Sequence, residues 1–208
     1  MTTVDQIVAW IDRLESVYVE NKEYLTELDS AIGDADHGIN MARGFTAAKK
    51  TLADNPPEDI GAALKSVSMT LIKTVGGASG PLFGTFFLKA AAKAAGQSEL
   101  DADGIETLFE EGILGIKQRG KAEVGDKTMI DAWEPALAAL KERHTAGAST
   151  KELLEAAVGA AEKGRDSTIP LVARKGRASY LGERSKDHQD PGATSVVLML
   201  AAARDTLA

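Results

Sequence analysis

Residues 3–14 read Thr3-Val4-Asp5-Gln6-Ile7-Val8-Ala9-Trp10-Ile11-Asp12-Arg13-Leu14. Val4, Ile7, Val8, Ile11 and Leu14 recur at three- and four-residue spacing, which places them in one stripe on a helix. Thr3 and Gln6 open that helix as a capping box: each side chain satisfies a backbone N–H that the first turn leaves free. The same spacing returns along the chain. Met41, Phe45, Ala48 and Leu52 form a second stripe, ended by Asn55-Pro56-Pro57, and Ile60, Leu64, Val67 and Leu71 a third, ended by Gly76-Gly77. Ser79 to Lys93 is a fourth helix, with Pro81 near its first turn where a missing N–H costs little. Ile105, Leu108, Phe109, Ile113 and Ile116 mark a fifth, and Met129, Ile130, Trp133, Leu137 and Leu140 a sixth. Ser149-x-x-Glu152 caps a seventh running to about Arg165, and Thr194 to Ala203 is apolar nearly all round, as a helix buried on several sides requires. No segment shows sustained strand alternation. The spacing predicts an all-α single domain over residues 1–208, with about eight helices joined antiparallel by short connections.

A chain of 208 residues with 44% hydrophobic and 26% charged residues is ordinary for a soluble globular protein and long enough for a well-buried core. It has no cysteine, so disulfides and thiolate metal sites are excluded. The first residues carry no basic region leading into an apolar run, and no apolar run reaches the length of a membrane span. A cytoplasmic location and no membrane partner are expected. A net charge of −7 argues against nucleic acid, whose phosphates need a basic face. A polyanionic ligand would therefore be held by metal ions and local basic groups.

Residues 29–40, Asp-Ser-Ala-Ile-Gly-Asp-Ala-Asp-His-Gly-Ile-Asn, carry the strongest chemical signal. Asp29, Asp34 and Asp36 lie close together, interleaved with Gly33 and Gly38 and followed by His37. Such charges repel one another unless a cation sits between them. Hard oxygen ligands on a glycine-flanked turn suit Mg²⁺. One Asp-x-Asp would be only a solvated acidic turn; three Asp, two Gly and a His make a metal site the better reading. An EF-hand is rejected, because counting from Asp34 its fifth and twelfth positions fall on Gly38 and Phe45.

Gly76-Gly-Ala-Ser-Gly-Pro-Leu-Phe-Gly-Thr85 is a second motif. Its glycines let backbone N–H groups approach an anion, and a helix N-terminus follows. It lacks the Lys-Ser/Thr of a Walker A loop, and a tight helix contact of small residues would explain it equally well. Gly125-Asp-Lys-Thr128 reads first as a turn and helix cap; a functional reading would instead have Gly120 and Met129 flank a nucleobase. From about Ser167 to Gln189 no stripe persists, and Arg174, Lys175, Arg177, Arg184 and Lys186 gather beside Gly176 and Gly182. A structureless segment this long in a compact domain is usually functional or disordered. A basic lid over an anionic ligand is expected, running into Asp190-Pro-Gly-Ala-Thr194. His144 fits a helix C-terminus, and no Ser-His-Asp arrangement can be assembled.

Taken in order, the motifs at 32–40, 76–85, 125–129, 176–184 and 190–195 resemble the ADP-binding L subunits of bacterial dihydroxyacetone kinases driven by the phosphoenolpyruvate phosphotransferase system. The resemblance covers essentially the whole chain. It implies an antiparallel eight-helix barrel with a nucleotide site at one end. It further implies that Asp29, Asp34 and Asp36 hold two Mg²⁺ ions. The ADP site would be lined by His37, Gly38, Ile39, Asn40, Ala78, Ser79, Gly120, Met129, Arg177, Asp190, Pro191 and Gly192, with Arg177 and His37 catalytic. On this view ADP is a tightly held cofactor, recharged to ATP by a phosphohistidine M subunit, and the γ-phosphoryl passes to dihydroxyacetone on a separate K subunit. Some relatives also bind a transcription regulator, a role that would use the same surface. The alternatives are the nucleotide domain of an ATP-dependent dihydroxyacetone kinase or a fatty-acid kinase, and an all-α dinuclear-Mg²⁺ hydrolase of the ADP-ribosyl glycohydrolase type. The hydrolase lacks a second cluster of acidic ligands here.

Overall fold

The computed structural model describes residues 1–208. Its helices are α1 (Val4–Glu20), α2 (Lys22–Ile32), α3 (His37–Asp54), α4 (Ile60–Thr74), α5 (Ser79–Lys93), α6 (Ala102–Gly120), α7 (Ile130–Thr145), α8 (Thr150–Ser167) and α9 (Pro191–Thr206). A 3-10 helix spans Arg177–Ser185, and two-residue strands β1 (Thr2–Thr3) and β2 (Glu99–Leu100) pair antiparallel. The all-α expectation holds. Nine α-helices stand where about eight were expected, and α2, which runs into the acidic turn, is the one not anticipated.

The chain caps its helices where composition says it must. Thr3 and Ser149 form full capping boxes with Gln6 and Glu152. Asp59, Asp101 and Asp190 accept the N–H groups of Ala62, Gly104 and Ala193 at the starts of α4, α6 and α9. Pro191 occupies the first turn of α9, where no N–H is needed.

Contacts run from α1 to α3, then in sequence to α9, and from α9 back to α1, so the elements close on themselves. Within the ring Phe86 stacks on Trp133 at 5.1 Å, and Trp10 lies 5.7 Å from Phe87 and 5.8 Å from Phe109. Each large apolar side chain buried this way contributes about 1.5–3 kcal/mol. Two polar tips are satisfied from α9, Trp10 Nε1 donating to the Met199 carbonyl at 3.2 Å and Tyr18 Oη to that of Ser195 at 2.9 Å, while Trp133 Nε1 has no partner. Thr2 Oγ1 donates to the Leu207 carbonyl at 2.7 Å and joins the first strand to the end of α9. No helix is long and apolar enough to cross a membrane.

This topology places the site. The connections α2–α3, α4–α5, α6–α7 and α8–α9 all contribute to one cleft, while β1, β2 and the α3–α4 and α7–α8 turns do not. Helices that alternate in direction bring every second connection to the same end. The pair α1–α2 acts as one ascent, which reconciles nine helices with eight passes.

Candidate active site

The cleft has a volume of about 870 Å³. Its first wall is the acidic turn. Asp29 sits in the last turn of α2 and is largely buried. Its Oδ2 accepts the backbone N–H groups of Asp36 at 2.9 Å and His37 at 3.1 Å, satisfying donors at the start of α3. Gly33 is required beside it, since a Cβ there would lie 2.0 Å from Asp29 Oδ1. Carboxylate oxygens of Asp29, Asp34 and Asp36 lie within 4.8 Å of one another. Three like charges at this spacing are a donor set that fits a hard divalent cation.

The second wall is the glycine turn before α5. Gly77 takes φ +63°, and Gly80 lies so close to α4 that a Cβ would come 2.2 Å from the Val75 carbonyl oxygen. Ser79 begins α5, and its Oγ is 3.1 Å from His37 Nδ1. His37 Nε2 lies 2.8 Å from Ser195 Oγ on α9. Burial pushes the imidazole down to about 4, although Asp29 and Asp36 act to raise it. The ring is therefore neutral at neutral pH, donating through one nitrogen and accepting through the other.

The third wall comes from Arg119–Ile130 and the fourth from the segment between α8 and α9. Asp131 holds the third in shape: its carboxylate accepts N–H groups of Gly125 and Thr128. On the fourth, Arg177 places a guanidinium nitrogen 3.0 Å from Asp34 Oδ2, bridging lid and acidic turn. Gly182 breaks the 3-10 helix, and Tyr180 on the cleft rim is 88% exposed. Asp190 caps α9 from a buried position, and burial pushes its carboxyl up to about 7 despite the Ala193 N–H. Asp131 and Asp29 also push it up, while Lys127 pulls it down.

Of the residues singled out from sequence, His37, Ala78, Ser79, Gly120, Met129, Arg177, Asp190, Pro191 and Gly192 line this cleft with the three aspartates. Gly38, Ile39 and Asn40 do not. Gly38 faces α2, where a Cβ would meet the Lys22 carbonyl oxygen at 2.0 Å; Ile39 is half exposed; and Asn40 sits behind Gly76 and accepts from Arg43. Ser195, which holds His37, and the cleft-lining Lys127 and Tyr180 are not among the residues singled out from sequence. The adjacent hydroxyls of Thr194 and Ser195, at the head of the apolar stretch of α9, were the available sign for Ser195. His144 ends α7 as expected and pairs with Glu106 at 2.6 Å.

Comparison with known proteins places the chain among relatives. The DAK2 domain family matches residues 31–205. The chain is 50% identical over 195 residues to the Escherichia coli (strain K12) PEP-dependent dihydroxyacetone kinase, ADP-binding subunit DhaL, covering 94% of this chain and 93% of that one. It is 42% identical to the corresponding PTS-dependent subunit of Lactococcus lactis, over 94% of this chain and 93% of that one. Human triokinase/FMN cyclase is 32% identical across 95% of this chain, but only 34% of that longer protein is covered. Among solved structures, the dihydroxyacetone kinase from C. freundii in complex with AMP-PNP and Mg²⁺ superposes with a TM-score of 0.72 at 25% identity, across 96% of this chain. The chain spans about a third of that kinase, 33%. The chain belongs to the DAK2 domain family, among the ADP-binding subunits of PEP-dependent dihydroxyacetone kinases.

Proposed function

We propose that the cleft holds ADP with two Mg²⁺ ions, and that this ADP is a resident cofactor, not an exchanging substrate. A phosphohistidine subunit would supply the phosphoryl group: its N–P bond breaks as a bond to the terminal ADP oxygen forms. The resulting γ-phosphoryl would pass to a hydroxyl of dihydroxyacetone on a second subunit, whose proton leaves with a base outside this chain. The observation that carries the reading is the Arg177–Asp34 pair of 3.0 Å, which joins a basic lid to three clustered carboxylates over one cleft. A basic lid facing an acidic turn serves a ligand that is anionic and metal-bound.

Asp29, Asp34 and Asp36 would hold the metal, which supplies neutralisation of phosphate charge when bound. Phosphoryl transfer asks little covalent chemistry of the protein, so positioning is the main task left to side chains. Ser79 and the N–H groups opening α5 face the phosphate end of the cleft. His37, neutral and held by Ser195, fixes the Ser79 hydroxyl. Arg177 adds charge where it develops between donor and acceptor. Met129, Leu82 and Ile130 supply apolar surface for a base.

The test is to gel-filter the protein free of loose nucleotide, add phosphorylated donor subunit, sugar subunit and dihydroxyacetone, and count product formed per ADP present. Many turnovers on one ADP are expected. A ratio near one, rescued only by free ATP, would assign the cleft to an ordinary ATP-dependent kinase.

A further inference from the structure

Lys127 has no part in the chemistry above, yet the residue is only 1% exposed. Its Nζ donates to the carbonyl oxygens of Thr168 at 2.6 Å, Ile169 at 3.3 Å and His188. An ammonium has three N–H donors, so every one is used, and each on backbone. No carboxylate lies within ion-pair distance of it. Burial works against the charge, Asp190, Asp187 and Asp131 offset it only from beyond contact, and retaining an ammonium here calls for a reason. The backbone adds to the case. Lys127 takes φ +62°, a conformation that favours glycine, so the turn alone would be better served without a side chain.

The three acceptors have a common property. Thr168 and Ile169 lead into the lid, and His188 leads out of it. Two more bonds draw the same ends together: Asp187 N–H to the Ile169 carbonyl at 2.8 Å, and Asp190 N–H to Thr168 Oγ1 at 3.0 Å. Beyond this neck the lid is lightly attached. Its ties are Arg174 N–H to the Asp126 carbonyl, a small contact of Ala173 and Ala178 with Ile32, and the Arg177–Asp34 pair. On its other side Lys127 precedes Thr128 and Met129, which form the cleft wall.

We infer that Lys127 is a positioning residue: a clamp on both ends of the lid that fixes where Arg177 meets the acidic turn. The inference rests on the reading of the cleft as a phosphoryl-transfer site, but the clamp itself exists without nucleotide and is measured without it.

Lys127→Met keeps the length and apolar stem and removes the three donors. In the reconstituted system its turnover should fall about a hundredfold, the usual consequence of misplacing a group by an ångström, while ADP affinity changes by less than about tenfold. In an Arg177→Ala background the same substitution should add little, because both act through one guanidinium. Lys127→Gln, with two donors, should recover part of the loss. Wild-type turnover in Lys127→Met, or full multiplication of the two effects, would overturn the assignment. Should the Met variant not fold, amide hydrogen exchange on nucleotide-free wild-type protein decides. Asp187 and Asp190 amides should exchange about a hundredfold more slowly than those of Ser179 to Glu183, and equal rates would remove the clamp. If wild-type protein binds no ADP, the functional reading fails while the exchange result stands.

Discussion

Asp29 and its two neighbours in the acidic turn differ in what the fold asks of them. Asp29 accepts two backbone N–H groups at the start of α3, whereas the side chains of Asp34 and Asp36 make no such bonds. In metal-free protein Asp29→Ala should therefore cost about 0.5–2 kcal/mol, as loss of a helix cap does. Asp34→Ala and Asp36→Ala should leave apo stability level or raise it, since they relieve like-charge repulsion. All three should lose Mg²⁺-dependent ADP binding with helical circular dichroism intact. Thermal melts in chelator and calorimetric titration with ADP check the two halves separately. Asp190 supplies a pH signature. Its carboxyl is raised from 3.8 to about 7, so it adds stability at low pH that is lost as pH rises through the folded value. At 1.36 kcal/mol per unit the loss is up to about 4 kcal/mol. His37 works in the opposite sense: lowered from 6.5 to about 4, it costs stability as pH falls below its ordinary value. Asp190→Asn keeps a good cap and removes only the first effect. Urea unfolding of chelated protein at about pH 5 and about pH 8 should show the variant losing less stability than wild type across the interval. An identical loss would place the titration elsewhere.

At the scale of elements, most of what the chain builds could be read from it. The α1 stripe, its capping box, and α9 as a helix buried on several sides all appear as expected, because apolar spacing and cap chemistry are local. The element that escaped reading was α2. Its buried positions are Leu25, Asp29 and Ile32, so a carboxylate occupies the middle of the inward face and breaks the apolar pattern. The lid was legible as basic and aperiodic, but not as a 3-10 helix tied at its base, since those ties join residues far apart in sequence. Two elements can be probed directly. Gly164 lets α8 close on α7; a Cβ there would lie 2.1 Å from the Asp131 carbonyl oxygen. Gly164→Ala should cost about 1–3 kcal/mol as overpacking and weaken ADP binding as well, because Asp131 holds the third wall. Thermal melts with and without ADP would reveal it, and unchanged melting would mean that the helices part freely. For the lid, Arg177→Ala should keep the fold and most ADP affinity yet lower phosphoryl transfer by roughly 10²–10³. Its side chain is 59% exposed, so the Asp34 pair contributes little to stability. Wild-type turnover in the reconstituted system would remove Arg177 from the mechanism.

For the molecule as a whole, the site is assembled from four connections that come together only when the ring is complete. Ligand binding should therefore stabilise the entire cooperative unit. ADP with Mg²⁺ at a hundred times its dissociation constant should add about 2.7 kcal/mol, and chelation should abolish the gain. A melt unmoved by ADP and Mg²⁺ together would contradict binding in this cleft. Gly38, Ile39 and Asn40 do not line the cleft although they follow the acidic turn directly, because adjacency to a motif does not say which way a helix has turned. Closure of the ring has one more consequence. Thr2 and Leu207 are one hydrogen bond apart, and the α7–α8 turn at Gly147 is remote from the cleft. The order in which the helices are threaded should then matter less than their neighbourhood. A circular permutant, with Thr2 and Leu207 joined by a short linker and new ends cut at Gly147, should fold and still bind ADP, because the break leaves all four connections of the cleft continuous.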